Sequence, residues 1–356
     1  MNTDFWRDRR VLLTGHTGFK GSWLSLWLQQ MQADLCGYAL APPTDPSLFE
    51  VARVGRGMTS IEADVRDEPR LRKALESFRP EVVFHMAAQP LVRLSYEDPV
   101  ETYSTNVLGT VHLLQAARSI DSVRAVVVIT SDKCYLNQEW AWGYRENEPM
   151  GGDDPYSSSK GCAELVTASF RKSFFSDPAS AGVASVRAGN VIGGGDWARD
   201  RLVPDIMTAI RQGEPVQIRY PHAVRPWQHV LEPLRGYLLL AERLHASHEW
   251  ADGWNFGPRD GDSRPVGWIA DTLTKAWGRG ARWETDDARH PHENTYLKLD
   301  STRAHQLLEW NPCLSLEDAL RWIVEWYQAL DRDADMRAQT LADVERYEQR
   351  CRESGA

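Results

Sequence analysis

The stretch Val11-Leu12-Leu13-Thr14-Gly15-His16-Thr17-Gly18-Phe19-Lys20-Gly21, continued by the apolar-rich run Ser22 to Met31, decides the fold. A short apolar run ending at a glycine reads as a buried strand, and the run after Gly21 reads as a helix. Between them lies G-x-x-G-x-x-G. In that setting Gly15 permits a tight turn, Gly18 lets a pyrophosphate approach the backbone, and Gly21 lets helix and strand pack closely. The phosphates would sit on the free N–H groups of the helix start. A glycine-rich turn without a ligand is the plain alternative, and the strand–loop–helix context weighs against it.

Working outward, Leu35 to Leu40 reads as a second strand, and Asp67-Glu68-Pro69 opens a helix with acids and proline in its first turn. Val82-Val83-Phe84 and Ala125 to Ile129 are continuous apolar runs, suited to strands buried on both faces, and Pro99 to Ser119 between them is helical. Strands separated by helices imply right-handed βαβ units, so the fold class is α/β: a doubly wound parallel Rossmann sheet with a smaller C-terminal substrate lobe. We place a dinucleotide-binding domain over residues 1–188, with a chain return at about 229–258, His229 to Pro258. Residues 189–228 and 259–356 make the lobe and the C-terminal helices. Beyond Asp331 the dense charge reads as an exposed helix or tail.

A length of 356 residues exceeds what one core holds, which agrees with a second lobe. The net charge of −9 argues against nucleic-acid binding, so a phosphorylated ligand must meet local positive groups. No apolar run approaches a membrane span, and the opening MNTDFWRDRR lacks the apolar core of a secretion signal. Cys36, Cys134, Cys162, Cys313 and Cys351 are scattered, odd in number and without a C-x-x-C pair. That argues against a disulfide framework and against a metal site, and the expected location is the reducing cytoplasm. Most of the fifteen tryptophans should be core.

The usual ribose mark is missing. An acid is expected about 20 residues after the glycine loop, but the second strand ends Tyr38-Ala39-Leu40-Ala41-Pro42-Pro43. The residues alone therefore leave NAD and NADP open, with Lys20 a candidate for meeting a 2′-phosphate. Asp64-Val65, after the next strand, is placed to cap an adenine, unless Asp64 merely precedes a helix.

Tyr156-Ser157-Ser158-Ser159-Lys160 puts a phenol and an amine four apart on one helical face. A tyrosine titrates near 10, too high for a base at neutral pH, and a cation one turn away favours its phenolate. The pattern gains meaning from Val126 to Ile129, which ends in Thr130-Ser131-Asp132-Lys133. A polar cluster at the carboxyl end of a buried parallel strand is where such sheets hold ligands. Ser131, Tyr156 and Lys160 are then a set for removing an alcohol proton during hydride transfer.

The segments GHTGFKG, HMAAQPLVRLSYEDP, TYSTNVLGT, TSDKCY, YSSSK and RAGNVIGGGDW together resemble the extended short-chain dehydrogenase/reductases, and within them the CDP-glucose 4,6-dehydratases. The likeness runs from about Trp6 to Tyr327. It implies NAD as cofactor, held by Gly15, Thr17, Gly18, Phe19, Lys20, Gly21, Asp64, Val65, Ala87, Ala88, Gln89, Tyr156 and Lys160, with Asn106 fixing the backbone nearby. Relatives acting on dTDP-glucose carry Thr-Asp-Glu where this chain has Ser131-Asp132-Lys133. The resemblance makes Asp132 the acid at the sugar C6 hydroxyl and Lys133 the base at C5, beside the catalytic Ser131, Tyr156 and Lys160. The first role needs a protonated carboxyl and the second a neutral amine.

For the nucleotide sugar, the resemblance points to Asn190 and to the loop through Trp197, Arg201 and Leu202. It also points to Arg225 at the diphosphate, His292 nearby, and Arg93 toward the sugar. His85 reads as a satisfied strand-end histidine. The implied substrate is CDP-glucose and the implied assembly a homodimer or homotetramer, paired through helices flanking the site. Two rivals stand: a nucleotide-sugar 4-epimerase or dehydrogenase, which needs neither Asp132 nor Lys133, and a non-catalytic dinucleotide sensor, which has no use for Tyr156 and Lys160.

Overall fold

Seven strands form one sheet in which every neighbouring pair is parallel. They are β1 Arg10–Thr14, β2 Asp34–Ala39, β3 Thr59–Glu62, β4 Val82–His85, β5 Ala125–Ile129, β6 Gly182–Arg187 and β7 Gly253–Asn255, in the spatial order 7-6-5-4-1-2-3. The computed structural model describes residues 1–286 and 297–355. Order reverses at β1, which sits between β4 and β2, and there the glycine loop opens at the carboxyl edge.

Continuous apolar strands are explained by two cores. Val11, Leu13, Phe84, Val127 and Ala184 feed one face of the sheet, and Leu12, Val83, Val126 and Val183 feed the other. Helices α1 Phe19–Gln30 and α7 Leu231–Ala246 cover the first face. Helices α2 Glu68–Phe78, α4 Gly109–Ala117 and α5 Pro155–Phe174 cover the second. Asp67 caps α2 by accepting from the Arg70 N–H, with Pro69 in the first turn. The run from Pro99 is not one regular helix. Its α3 Pro99–Tyr103 passes through a π turn, Ser104–Leu108, before α4, and that turn carries Asn106.

Beyond β6, short strands pair outside the main sheet. Val191–Ile192 lies beside Gln228–His229, Val216–Ile218 beside Trp283–Thr285, and Val224–Pro226 beside Ser263–Pro265. Helices α6 Leu202–Gln212 and α8 Val266–Trp277 pack with them. Trp6, Trp23, Trp27, Trp254, Trp310 and Trp326 are fully buried. No helix among the described residues is long and apolar enough to cross a membrane.

Two expectations fail at the C-terminal end. The segment beyond Asp331 forms a helix, one of the two expected forms, but not an exposed one. Its helix α10 Met336–Ser354 buries Met336, Thr340, Val344, Tyr347 and Cys351, with Tyr347 edge-on to Trp27 of α1. Nor are all cysteines free: Cys313, before α9 Leu316–Leu330, is bonded to Cys351 of α10. Counting cysteines and searching for C-x-x-C cannot find a pair 38 residues apart that only the packing of α9 and α10 brings together.

Candidate active site

The glycine loop is built for close approach. A Cβ on Gly15, whose φ is +76°, would stand 2.7 Å from the Ala87 nitrogen. One on Gly21 would stand 2.1 Å from the Gly15 carbonyl oxygen. Gly18 faces only that same oxygen, at 3.4 Å, and is otherwise open. No side chain caps the start of α1. An open glycine face before an uncapped helix start fits a pyrophosphate.

The absent ribose acid has a physical counterpart. The buried His16 ring fills the space at β2 where Gly37 has no side chain; a Cβ on Gly37 would be 2.3 Å from it. Its Nε2 pairs with Ser60 Oγ at 2.7 Å, and burial holds its pKa down at about 4. Thr17 Oγ1 donates to the Leu40 carbonyl at 2.9 Å, tying the loop to the end of β2. Lys20 does not face that end, so the expectation of a 2′-phosphate contact is corrected. Its Nζ donates to the Tyr237 hydroxyl of α7 at 3.0 Å. Burial, then Lys160 and Arg201, push its pKa down to about 7, against a smaller opposing effect of Asp132. Lys20 therefore lies among Tyr237, Lys160, Arg201 and Asp132.

Asp64 is also less free than the sequence implied. Its carboxylate takes a bidentate grip from Arg66, which also pairs with Glu101. Val65 is buried against the position of Gly109. Asn106 fixes the backbone as expected: its Oδ1 accepts from the Gln89 N–H at 2.8 Å, while its Nδ2 donates to the Gln89 carbonyl and to Ser159 Oγ. Ala87 accepts no side chain at Gly15 and donates its N–H to Thr14 Oγ1; Ala88 lies between Ala87 and Gln89 on the same segment. His85 is a satisfied core histidine, 2.8 Å from Thr14 Oγ1 and 3.2 Å from Thr110 Oγ1.

At the end of β5 the residues expected to be catalytic come together. Ser131, Asp132, Tyr156 and Lys160 are all buried, at 6, 2, 8 and 5% exposure. Ser131 hydrogen-bonds the Tyr156 phenol, and its Oγ also donates to Asp132 Oδ1 at 2.9 Å. Burial pushes the phenol up to about 12 and the Lys160 amine down to about 8, the latter 5.9 Å from the phenol ring centre. Asp132 begins a short 3₁₀ turn, Asp132–Cys134, and its buried Oδ2 has no hydrogen-bond partner among the described residues. Lys133, on the same turn, is exposed.

The expected substrate residues are brought together unevenly. Arg201 lies near enough to Tyr156 and Lys20 to act on their charge, and it pairs with Asp196 at 3.0 Å. Leu202 begins α6. Asn190 takes a left-handed φ of 45°, and its carbonyl accepts from Gln228 N. Arg225 is half-buried on its strand, and Arg93 pairs with Asp200 at 2.9 Å. Trp197 is half-buried, its ring against Trp326 and Tyr327. His292 lies outside the described residues. Sequence reading missed Tyr237, Gly189, Glu164 and Arg187. Only Glu164 left a local signal, four residues past Lys160 on the same helical face.

A doubly wound parallel sheet, a glycine loop at its switch point and a Ser–Tyr–Lys set at the end of β5 define an extended short-chain dehydrogenase/reductase. The chain belongs to the GDP-mannose 4,6 dehydratase family, whose model matches residues 12–323. It is 57% identical over 342 residues to the CDP-glucose 4,6-dehydratase of Salmonella typhimurium, covering 94% of this chain and 95% of that one. It is 27% identical to the dTDP-glucose 4,6-dehydratase of Streptomyces griseus, over 89% of this chain and 93% of that one. The fold is shared with UDP-glucose 4-epimerase of Thermotoga maritima (TM-score 0.79, 23% identity, 90% and 99% covered). It is also shared with the NAD complex of dTDP-glucose 4,6-dehydratase from Bacillus anthracis (TM-score 0.75, 18% identity, 90% and 96% covered).

Proposed function

We propose that this chain is an NAD-dependent CDP-glucose 4,6-dehydratase, a cytoplasmic hydro-lyase converting CDP-D-glucose to CDP-4-dehydro-6-deoxy-D-glucose and water for deoxysugar and surface-polysaccharide synthesis. The observation that carries this reading is 57% identity along almost the full length of both chains with the Salmonella enzyme. Ser131-Asp132-Lys133 beside Tyr156 and Lys160 is the matching chemistry.

Gly15, Thr17, Gly18, Phe19 and Gly21 would hold the cofactor diphosphate, Asp64 and Val65 its adenosine end, and Ala87 to Gln89, Lys20, Tyr156 and Lys160 the other half. Bound NAD supplies the hydride acceptor at C4 and the hydride donor at C6. Tyr156 removes the C4 hydroxyl proton, with Ser131 bonded to its phenol. Burial, only partly offset by the Ser131 hydrogen bond, lifts that phenol to about 12, so further positive charge must bring it down. Lys160, pushed down only to about 8, remains largely cationic at neutral pH and supplies it. The C4 ketone acidifies the C5 proton. Lys133 takes that proton and Asp132 donates one to the departing C6 oxygen, so water leaves. The buried Oδ2 of Asp132, without a hydrogen-bond partner among the described residues, is the oxygen left to face the departing group. Arg225, Asn190, Arg201, Leu202 and His292 would bind the nucleotide sugar, Arg93 its hexose, and Trp197 would brace the loop from behind.

Incubating the protein with a panel of NDP-glucoses and weighing the products tests the reading. Loss of one water from CDP-glucose without net NAD consumption is expected. An isomer of unchanged mass, or stoichiometric NADH release, would overturn it. We further propose self-association through α3, the π turn after it and α5, whose exposed Val100, Tyr103, Leu108, Leu165 and Phe174 offer an apolar face. Sedimentation equilibrium should show a dimer or tetramer, and a monomer would refute this part.

A further inference from the structure

A buried ion pair lies directly beneath the catalytic turn. Glu164, on α5 one turn past Lys160, and Arg187, at the end of β6, are 3% and 4% exposed and meet at 2.8 Å. Glu164 Oε1 accepts from Thr130 Oγ1 at 2.5 Å, and Oε2 from Ser185 Oγ at 2.6 Å. Arg187 Nη1 donates to the Tyr135 hydroxyl at 2.5 Å and to the Glu146 carbonyl at 3.0 Å. The Tyr135 hydroxyl donates onward to Asn255 Oδ1 at 2.8 Å. β7 leaves room for this: a Cβ on Gly253 would stand 2.5 Å from Arg187 Nη2.

Burying two charges is costly, and an apolar pair of the same volume often serves stability as well. Stability alone is therefore a poor account of this pair. Its hydrogen bonds suggest another. Thr130 immediately precedes Ser131, and Tyr135 closes the turn Asp132–Cys134. One carboxylate thus grips the entry of the catalytic turn and its guanidinium partner grips the exit. The same carboxylate stands on the helix that carries Tyr156 and Lys160. The pair also ties the two elements of the site to each other: Tyr156 and Lys160 on the helix, Ser131, Asp132 and Lys133 on the turn. The charged state suits the task, since the Arg187 pair and the hydroxyl donors hold Glu164 below its usual range despite burial.

We propose that Glu164 and Arg187 are positioning residues for the Ser131–Lys133 turn, acting through Thr130 at its entry and Tyr135 at its exit. The assignment rests on the dehydratase reading above, because it separates the oxidation and elimination steps of that reaction. Loosening the exit displaces Asp132 and Lys133, which act in elimination. Loosening the entry displaces Ser131, which acts in oxidation.

Direct removal of either charge strands its partner in the core and risks the fold, so the handles are the better test. Tyr135→Phe keeps the ring and the ion pair but cuts the exit; Thr130→Val keeps the volume but cuts the entry. Each NAD-loaded variant is mixed rapidly with CDP-glucose and followed by NADH absorbance, product mass, KM and thermal midpoint. For Tyr135→Phe we expect turnover reduced on the order of 10–100-fold, as for small misplacements of reacting groups, with near-normal KM and NADH building up before product. For Thr130→Val we expect a similar loss with no NADH build-up. Turnover of both within about twofold of wild type would overturn the assignment. So would parallel losses with one signature and lowered thermal midpoints, the mark of a purely structural pair. A wild-type protein idle on CDP-glucose would instead overturn the dehydratase reading itself.

Discussion

Asp132 rests on the backbone of Gly189: a Cβ at residue 189 would stand 1.8 Å from Asp132 Oδ2. The first loop residues after β6 thus determine where the acid of the β5 turn can sit. Gly189→Ala should push the Asp132 carboxyl off its position while leaving Tyr156 and Lys160 on their helix. Elimination should fall by on the order of 10²-fold or more. Bound NADH should accumulate when CDP-glucose is added. Normal turnover with a single-peak product would mean that Asp132 is not held by this contact.

Lys133 and Tyr156 should separate the two halves of the reaction. Lys133→Met leaves the Ser131–Tyr156–Lys160 set untouched, so oxidation should proceed and the reaction should stall with bound NADH and a 4-keto-hexose. Removing a general base costs about 10²–10⁴ in rate. Tyr156→Phe should block the first step, and no absorbance at the NADH wavelength should appear. Because Lys133 is exposed in the structure, near-normal turnover of Lys133→Met would pass the C5 proton to another group.

These predictions draw on parts of the chain that differed in legibility. The glycine loop, the apolar strands and the Tyr156–Lys160 pair were readable because each is a pattern within a few residues, tied to one element. The Cys313–Cys351 bond and the Glu164–Arg187 pair join residues 38 and 23 apart, and nothing local marks them. Helix α10 lies between these cases. Met336, Thr340, Val344, Tyr347 and Cys351 recur at helical spacing, but the charges around them masked the stripe. Lys20 misled for another reason: the loop pattern located its backbone but not the direction of its side chain toward Tyr237.

Cofactor choice should follow from that direction. Lys20 points to Tyr237, and Arg66, the cation beyond β3, already holds Asp64 and Glu101. A 2′-phosphate would have to break that arrangement to gain a charged partner. A charge-assisted hydrogen bond contributes about 1.5–3 kcal/mol, so NAD should bind the apoprotein at least about tenfold more tightly than NADP. Fluorescence titration with both cofactors decides it. Tighter NADP binding would mean that Arg66 gives up its carboxylates.

Glu232 should make stability fall as pH rises through neutrality. It is 1% exposed on α7, accepts from the Cys313 and Leu314 N–H groups and from the Tyr347 hydroxyl, and burial pushes its pKa up to about 7. Unfolded, it titrates near 4.3. Between those values the folded chain binds the proton that the unfolded chain has lost, so this contribution is complete below about pH 4 and fades through pH 7. At 1.36 kcal/mol per pKa unit the effect is at most about 4 kcal/mol. Asp343 of α10, also raised to about 7 by burial, adds in the same direction. Groups with lowered values, such as Asp252 and Asp300, oppose it only at more acidic pH. Glu232→Gln keeps an oxygen for the two N–H groups and an amide toward Tyr347 without a proton to lose. Its thermal midpoint should therefore decline less than that of wild type between pH 5 and 7.5, measured in steps by calorimetry with Asp343 intact. Equal slopes in the two proteins would show that Glu232 is already ionised in the folded chain.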